Sequence, residues 1–365
     1  MSVHIETLLL DEASAIAGRE ISSDEELHEY FNINKLLTFI QKIHQKLGAE
    51  LNVNSLYICQ TVGTLAKAIE QQRHNNVPKL LQIKEGDSRR PLIIFAGGVS
   101  CFLEIKHILN GLSENCAVFG MNLTKFDRPR TDPAVVADEV RSCMEELESQ
   151  GISGPVSLLG YSFGGIFALE LARALRSNGK EVEFLGLIDT PQSEHAWPLP
   201  TWVGFLLHRI RRKSRRIVSG LRAARSMSSD ADKSPCKTRQ RPLLYSLRPL
   251  LFRFCHPSME GYPELAPEWV DGNTPDYERA GRQLLRMKGL YRPSMYDGDL
   301  VFYRAMGGSP NDCDPRKVWT RHLPNAEWVD VRGNHLSVIV GKNGEAIGRD
   351  ISRRMNELSP EVCSG

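Results

Sequence analysis

Val156-Ser157-Leu158-Leu159-Gly160-Tyr161-Ser162-Phe163-Gly164-Gly165 begins as an apolar strand, passes through a serine set between glycines and continues into a helix. The G-x-S-x-G pattern is that of a nucleophile elbow. A turn that sharp leaves no room for side chains at Gly160 and Gly164, and it lifts the Ser162 hydroxyl clear of the sheet edge. Ile166 to Leu175 reads as a buried helix closed near Gly179, its positive N-terminal end aimed where an oxyanion would develop. The same short pattern occurs in ordinary strand-to-helix loops; here the strand before it and the helix after it supply the context an elbow requires.

Upstream, Pro91-Leu92-Ile93-Ile94-Phe95 is apolar throughout, as a strand buried on both faces should be, and Pro78 to Ile83 reads as the strand before it across a turn at Gly86-Asp87-Ser88. The loop Ala96-Gly97-Gly98-Val99 follows at once. Glycine there lets a backbone N–H approach a reacting oxygen, so Gly98 and Phe163 are the candidate oxyanion donors; a neighbouring residue as donor, or a turn used only for packing, stays open. An amphipathic helix near Leu103 to Leu112, a strand over Cys116 to Gly120 and a long helix opened by Asp132-Pro133 come next. Val182 to Ile188 is a further apolar strand beyond the elbow helix. This alternation predicts an α/β chain with a mostly parallel central sheet, the α/β-hydrolase fold.

A serine hydroxyl is a poor nucleophile until a base takes its proton, so a carboxylate and then a histidine are expected further along. Phe184 to Ile188 ends at Asp189, which puts a carboxylate at the carboxyl edge of the sheet. Trp328 to Val331 reads as the final strand, and Arg332-Gly333-Asn334-His335 follows it in the loop before the last helix. His335 is the one of ten histidines in such a place. The acid could instead stand one strand later, at Asp312 or Asp314, where the ordinary reading is a cap on a surface turn. Asp189 is the preferred choice.

The chain as a whole carries 46 basic and 44 acidic residues, a formal net charge of +2, so nothing global points to nucleic acid. Eight cysteines are scattered without a C-x-x-C pair, against both a zinc site and a disulfide framework, and no metal is expected. No basic leader opens the sequence, and no stretch reaches the roughly 18 apolar residues of a spanning helix, so stable membrane insertion is not expected. A reducing cytoplasm is the expected location.

Residues 78–355 resemble the thioesterase domains that release products from non-ribosomal peptide and polyketide synthases. The likeness rests on Leu158 to Gly165, Leu187-Ile188-Asp189-Thr190-Pro191, Tyr291-Arg292-Pro293 through Gly298 to Ala305, and Gly333-Asn334-His335, all in order. It implies Ser162 as nucleophile, Asp189 as acid and His335 as base, acting on an acyl or peptidyl thioester carried on the phosphopantetheine of a partner carrier protein or synthase module. No cofactor of the chain's own is implied.

Residues 1–72 read as a small helical bundle, with Leu36, Leu37, Ile40, Ile43 and Leu47 at helical spacing and Thr61 capping a last helix. Residues 73–77 form a linker, and 78–365 the hydrolase unit. Leu47 to Val53 and Thr61 to Ile69 resemble the second half of an acyl or peptidyl carrier domain. Where that family carries its phosphopantetheine serine, this chain has Asn32-Ile33-Asn34, with no serine between Ser23 and Ser55. The expectation is a carrier-like domain that cannot be loaded, with a plain helical bundle as the alternative.

More than a hundred residues separate Asp189 from the strand at Asp299, too many for one crossover, and they predict a helical lid over about 192–290. Its one marked charge cluster holds Arg209, Arg211, Arg212, Lys213, Arg215 and Arg216. The resemblance suggests a docking site for an acidic carrier protein. A solvated basic face and a membrane-surface helix are the competing readings. For the whole chain the alternatives are a carboxylesterase or lipase with the same three residues, and a non-catalytic carrier-binding scaffold.

Overall fold

The computed structural model describes residues 2–98, 101–123, 134–208, 210–211, 214, 275–308 and 313–358. Five helices come first: α1 (Ser2–Ala17), α2 (Leu27–Tyr30), α3 (Ile33–Leu47), α4 (Ser55–Ile58) and α5 (Val62–Glu70). α3 opens on Asn32, whose side chain accepts from the Lys35 N–H at 3.0 Å, and closes on Gly48 in the left-handed region. α5 opens on a capping box between Thr61 and Thr64. Leu9, Leu36, Phe39, Ile43 and Leu65 close the core of this bundle.

The strands are β1 (Leu80–Lys84), β2 (Asp87–Phe95), β3 (Cys116–Met121), β4 (Val156–Tyr161), β5 (Val182–Ile188), β6 (Leu300–Ala305) and β7 (Ala326–Val331). They form one sheet in the order β1-β3-β2-β4-β5-β6-β7, with β1 antiparallel to β3 and every other neighbour parallel. This is the α/β-hydrolase fold expected. Alternate residues of the central strands feed opposite faces: Ile93, Phe95, Leu158 and Leu187 meet α7 (Val135–Ser149) and α8 (Gly164–Ser177). Leu92, Ile94, Leu159 and Ile188 meet α6 (Lys106–Gly111) and the C-terminal helix. Each such fully buried side chain contributes about 1.5–3 kcal/mol.

Some expected boundaries move. Asp87 and Ser88 belong to β2 rather than to a turn, because the outer half of that strand is exposed and therefore polar. The expected helix at 103–112 is a 3-10 turn over Phe102–Ile105 followed by α6. Asp132-Pro133 lies outside the described residues, and α7 is described from Val135. Of the lid, a helix α9 is described at 199–208, and the return helix is α10 (Pro275–Leu290). α10 is tied to the segment after Asp189 by an ion pair from Lys288 to Glu194, both inaccessible to solvent. Removing one partner of such a pair costs about 3–5 kcal/mol, because the other charge is left buried. α11 (Pro315–Trp319) and α12 (Lys342–Glu357) complete the chain.

Candidate active site

Ser162, Asp189 and His335 stand together at the carboxyl edge of the sheet. β4 and β5 pair in register up to Tyr161 and Ile188, so the residue after each falls side by side, and the Ser162 N–H still donates to the Ile188 carbonyl at 2.9 Å. Both residues take left-handed backbone, φ 53° at Ser162 and φ 43° at Asp189, which for a non-glycine residue costs about 1–3 kcal/mol. Neighbouring packing holds them there. A Cβ at Gly160 would strike the backbone of Gly165, and one at Gly164 would strike the carbonyl oxygens of Phe95 and Ala96. Glycine at 160 and 164 is thus required by close backbone approach.

His335 Nδ1 lies 2.7 Å from Asp189 Oδ2, and its Nε2 lies 2.9 Å from Ser162 Oγ. With the carboxylate accepting from Nδ1–H, Nε2 is the lone pair that accepts from the serine hydroxyl. Asp189 is 1% exposed; its Oδ1 accepts from the Ala305 N–H at 3.4 Å, and its own N–H donates to the Tyr303 carbonyl at 2.8 Å. The His335 loop turns on Gly333 at φ 100°, and Asn334 Oδ1 accepts from the Leu336 and Ser337 N–H groups. Asp314 is engaged elsewhere. It caps α11 through the Arg316 N–H at 3.1 Å and pairs with Arg304 at 3.1 Å, while Asp312 lies outside the described residues.

Gly98, with φ 46°, lies in the loop after β2 that backs onto the elbow. A Cβ at its neighbour Gly97 would lie 3.1 Å from Ser162 Cβ and 2.9 Å from the Tyr161 ring. Phe163 occupies the N-cap of α8, where helix N–H groups have no partner within the helix. The Gly97-Gly98 loop thus comes up to the serine from one side, and Phe163 leads from it into α8 on the other. Such an arrangement can withdraw a proton from a hydroxyl and receive negative charge on an attacked carbonyl oxygen.

Tyr161 is the participant that sequence reasoning missed. Its hydroxyl donates to the His335 carbonyl oxygen at 2.9 Å and its ring stacks on the imidazole at 5.2 Å between centroids. The signal was its place beside the serine, but the partner lies 174 residues away and periodicity cannot reach it. Of the six basic lid residues, Arg211 is described and exposed; the side chains of Arg209, Arg212, Lys213, Arg215 and Arg216 lie outside the described set. Among the described residues no group of three His, Cys, Asp or Glu side chains is arranged to hold a metal ion, and no helix is long and apolar enough to cross a membrane.

Residues 91–201 match the thioesterase domain family. A nonribosomal peptide synthetase from Aspergillus terreus is 28% identical over 186 residues, which is 48% of this chain and 19% of that protein. A dimodular nonribosomal peptide synthase from Bacillus subtilis is 25% identical over 154 residues, 41% of this chain and 6% of that protein. The chain thus spans less than a fifth of the length of these curated relatives. The crystal structure of a four-domain nonribosomal peptide synthetase superposes on 96% of this chain and 26% of its own, with TM-score 0.53 and 19% identity, a likeness of fold.

Proposed function

We propose, on the premise that residues 91–201 are a thioesterase-family domain, that the chain is a serine thioesterase working through an acyl-serine intermediate. The observation that carries this is the 2.9 Å and 2.7 Å relay from Ser162 through His335 to Asp189 inside and beside that segment. His335 Nε2 takes the hydroxyl proton as Ser162 Oγ attacks the thioester carbonyl, and the Gly98 and Phe163 N–H groups receive the charge on its oxygen. Collapse expels the thiol, which leaves with the proton from His335. A water, amine or hydroxyl then repeats the sequence in reverse, by hydrolysis or ring closure. Asp189 holds the imidazole tautomer and stabilises its cation throughout.

The substrate class we propose is an acyl or peptidyl group on the phosphopantetheine of a carrier protein, by analogy with the synthetase relatives. The basic stretch at 209–216 supports docking of an acidic carrier. The N-terminal bundle is read as a carrier-like fold whose loading serine is replaced, with Asn32 spent as a helix cap. The test is thiol release from a panel of acyl-pantetheine thioesters and oxygen esters, alone and on carrier proteins, with intact-protein mass to catch the acyl-enzyme. Thioester turnover and an added acyl mass, both lost in Ser162→Ala, are expected. Faster turnover of oxygen esters would point instead to a carboxylesterase, and inertness towards every substrate would favour a scaffold.

A further inference from the structure

The His335 imidazole is tied at its two ring nitrogens, Nδ1 to Asp189 Oδ2 at 2.7 Å and Nε2 to Ser162 Oγ at 2.9 Å. Bonds made by ring nitrogens lie near the plane of the ring, so these two resist rotation within that plane and oppose tilting out of it only weakly. The backbone beneath the ring belongs to a surface loop. Asn334 and Leu336 on either side are exposed, and the His335 N–H reaches the Gly308 carbonyl at 3.3 Å, a long bond.

Tyr161 supplies both restraints that this leaves wanting. Its ring stacks on the imidazole at 5.2 Å between centroids with the planes 25° apart, and its hydroxyl donates to the His335 carbonyl oxygen at 2.9 Å. The first opposes tilt; the second holds the loop. The tyrosine is itself fixed, because it ends β4 in register with Ile188 and is 3% exposed. It shares a buried cluster with Ala96, which precedes Gly97, and with Val338 and Ile339, which follow His335. The same ring abuts the loop on the other side of the serine, since a Cβ at Gly97 would lie 2.9 Å from it.

We infer that Tyr161 is a positioning residue for the base, acting on Ser162 through His335: its ring sets the tilt of the imidazole and its hydroxyl sets the place of the loop. The inference rests on the acyl-transfer reading of Ser162. In that reaction Nε2 takes a proton from the serine oxygen and delivers it to the leaving group, two atoms in different places, so the aim of the ring must hold through both transfers. A misplacement of about 1 Å costs on the order of 100-fold in rate.

The test compares the full-length chain with Tyr161→Phe and Tyr161→Leu. It reads the rate and the final extent of Ser162 labelling by a fluorophosphonate, followed by intact-protein mass, together with kcat and KM for an octanoyl-pantetheine thioester. Tyr161→Phe keeps the stacked ring and gives up the bond to the loop, and labelling rate and kcat are expected to fall on the order of 10-fold. Tyr161→Leu gives up both contacts, and the expected fall is on the order of 100-fold. In each variant KM changes less than about threefold, and labelling still runs to completion. A misplaced base slows every molecule, whereas a residue that serves only the fold leaves a fraction that never labels. A native labelling rate in Tyr161→Phe therefore overturns the inference, as does a loss seen only in the final extent. Should the leucine variant fail to fold, the phenylalanine variant decides. Native labelling without thioester turnover sinks the thioesterase reading alone, leaving the labelling rates to judge Tyr161; a native chain that does neither sinks both.

Discussion

The sheet edge and the N-terminal bundle each set one polar residue at the start of a helix, and they use it in opposite ways. Ahead of α8, Ser162 stands in left-handed backbone with its hydroxyl turned to His335. Ahead of α3, Asn32 stands in relaxed extended backbone, φ −103° and ψ 175°, and spends its side chain on the Lys35 N–H. The first position accepts strain and leaves a reactive atom for a partner from far along the chain. The second saves about 1 kcal/mol of helix stability and has no nucleophilic atom to offer. A residue kept for chemistry is thus recognisable by what its own helix does not receive from it.

The largest expected effect breaks the first half of this contrast. Ser162→Ala should lower thioester turnover on the order of 10⁴-fold or more while the melting temperature stays close to native. Asp189→Asn comes next: by presenting an amide to Nδ1 it favours the wrong tautomer and should cost about 10⁴-fold in kcat. Asp314→Ala, by contrast, should cost only about 1 kcal/mol of stability, through the lost α11 cap, with kcat nearly native. Equal losses from the two aspartates would reopen the identity of the acid.

The bundle supplies the smaller effects. Asn54→Ala leaves the buried Phe102 N–H without its acceptor and Asn122 Oδ1 without its donor, a loss of about 2–3 kcal/mol, seen as a lower denaturation midpoint. If the bundle braces the oxyanion loop, kcat should drop several-fold while KM holds, and unchanged kcat in a folded variant would separate the two regions. Smallest of all, incubation with a phosphopantetheinyl transferase should add no mass to the native chain. A loaded bundle would erase the distinction drawn at Asn32.

Much of the site was legible because Ser162 and Asp189 each follow an apolar strand directly, a run such as Leu185-Gly186-Leu187-Ile188 announcing where its strand stops, and because His335 stands in the loop between the final strand and the last helix. The same logic fails where contacts join distant segments through polar atoms. Asn54 and Asn122 are 68 residues apart and look like loop asparagines until the fold brings them together. Glu104 likewise reads as the polar face of an amphipathic helix, whereas it lies in a 3-10 turn with its Oε2 cut off from solvent and without a hydrogen-bond partner among the described residues. The outer half of β2 was hidden by Asp87-Ser88-Arg89-Arg90, since a solvent-facing strand end carries the composition of a turn.

The helices that follow the two halves of the site are joined backbone to backbone. α6 comes directly after Glu104 and α12 shortly after His335, and a methyl group at Gly111 would strike the Glu345 carbonyl, while one at Gly348 would strike that of Ile108. No side chain lies between them there to act as a bearing. The Gly97-Gly98 loop and the His335 loop therefore ride on a single welded strut, and anything that wedges between them must displace other walls, because this pair cannot part without prising two helices from each other.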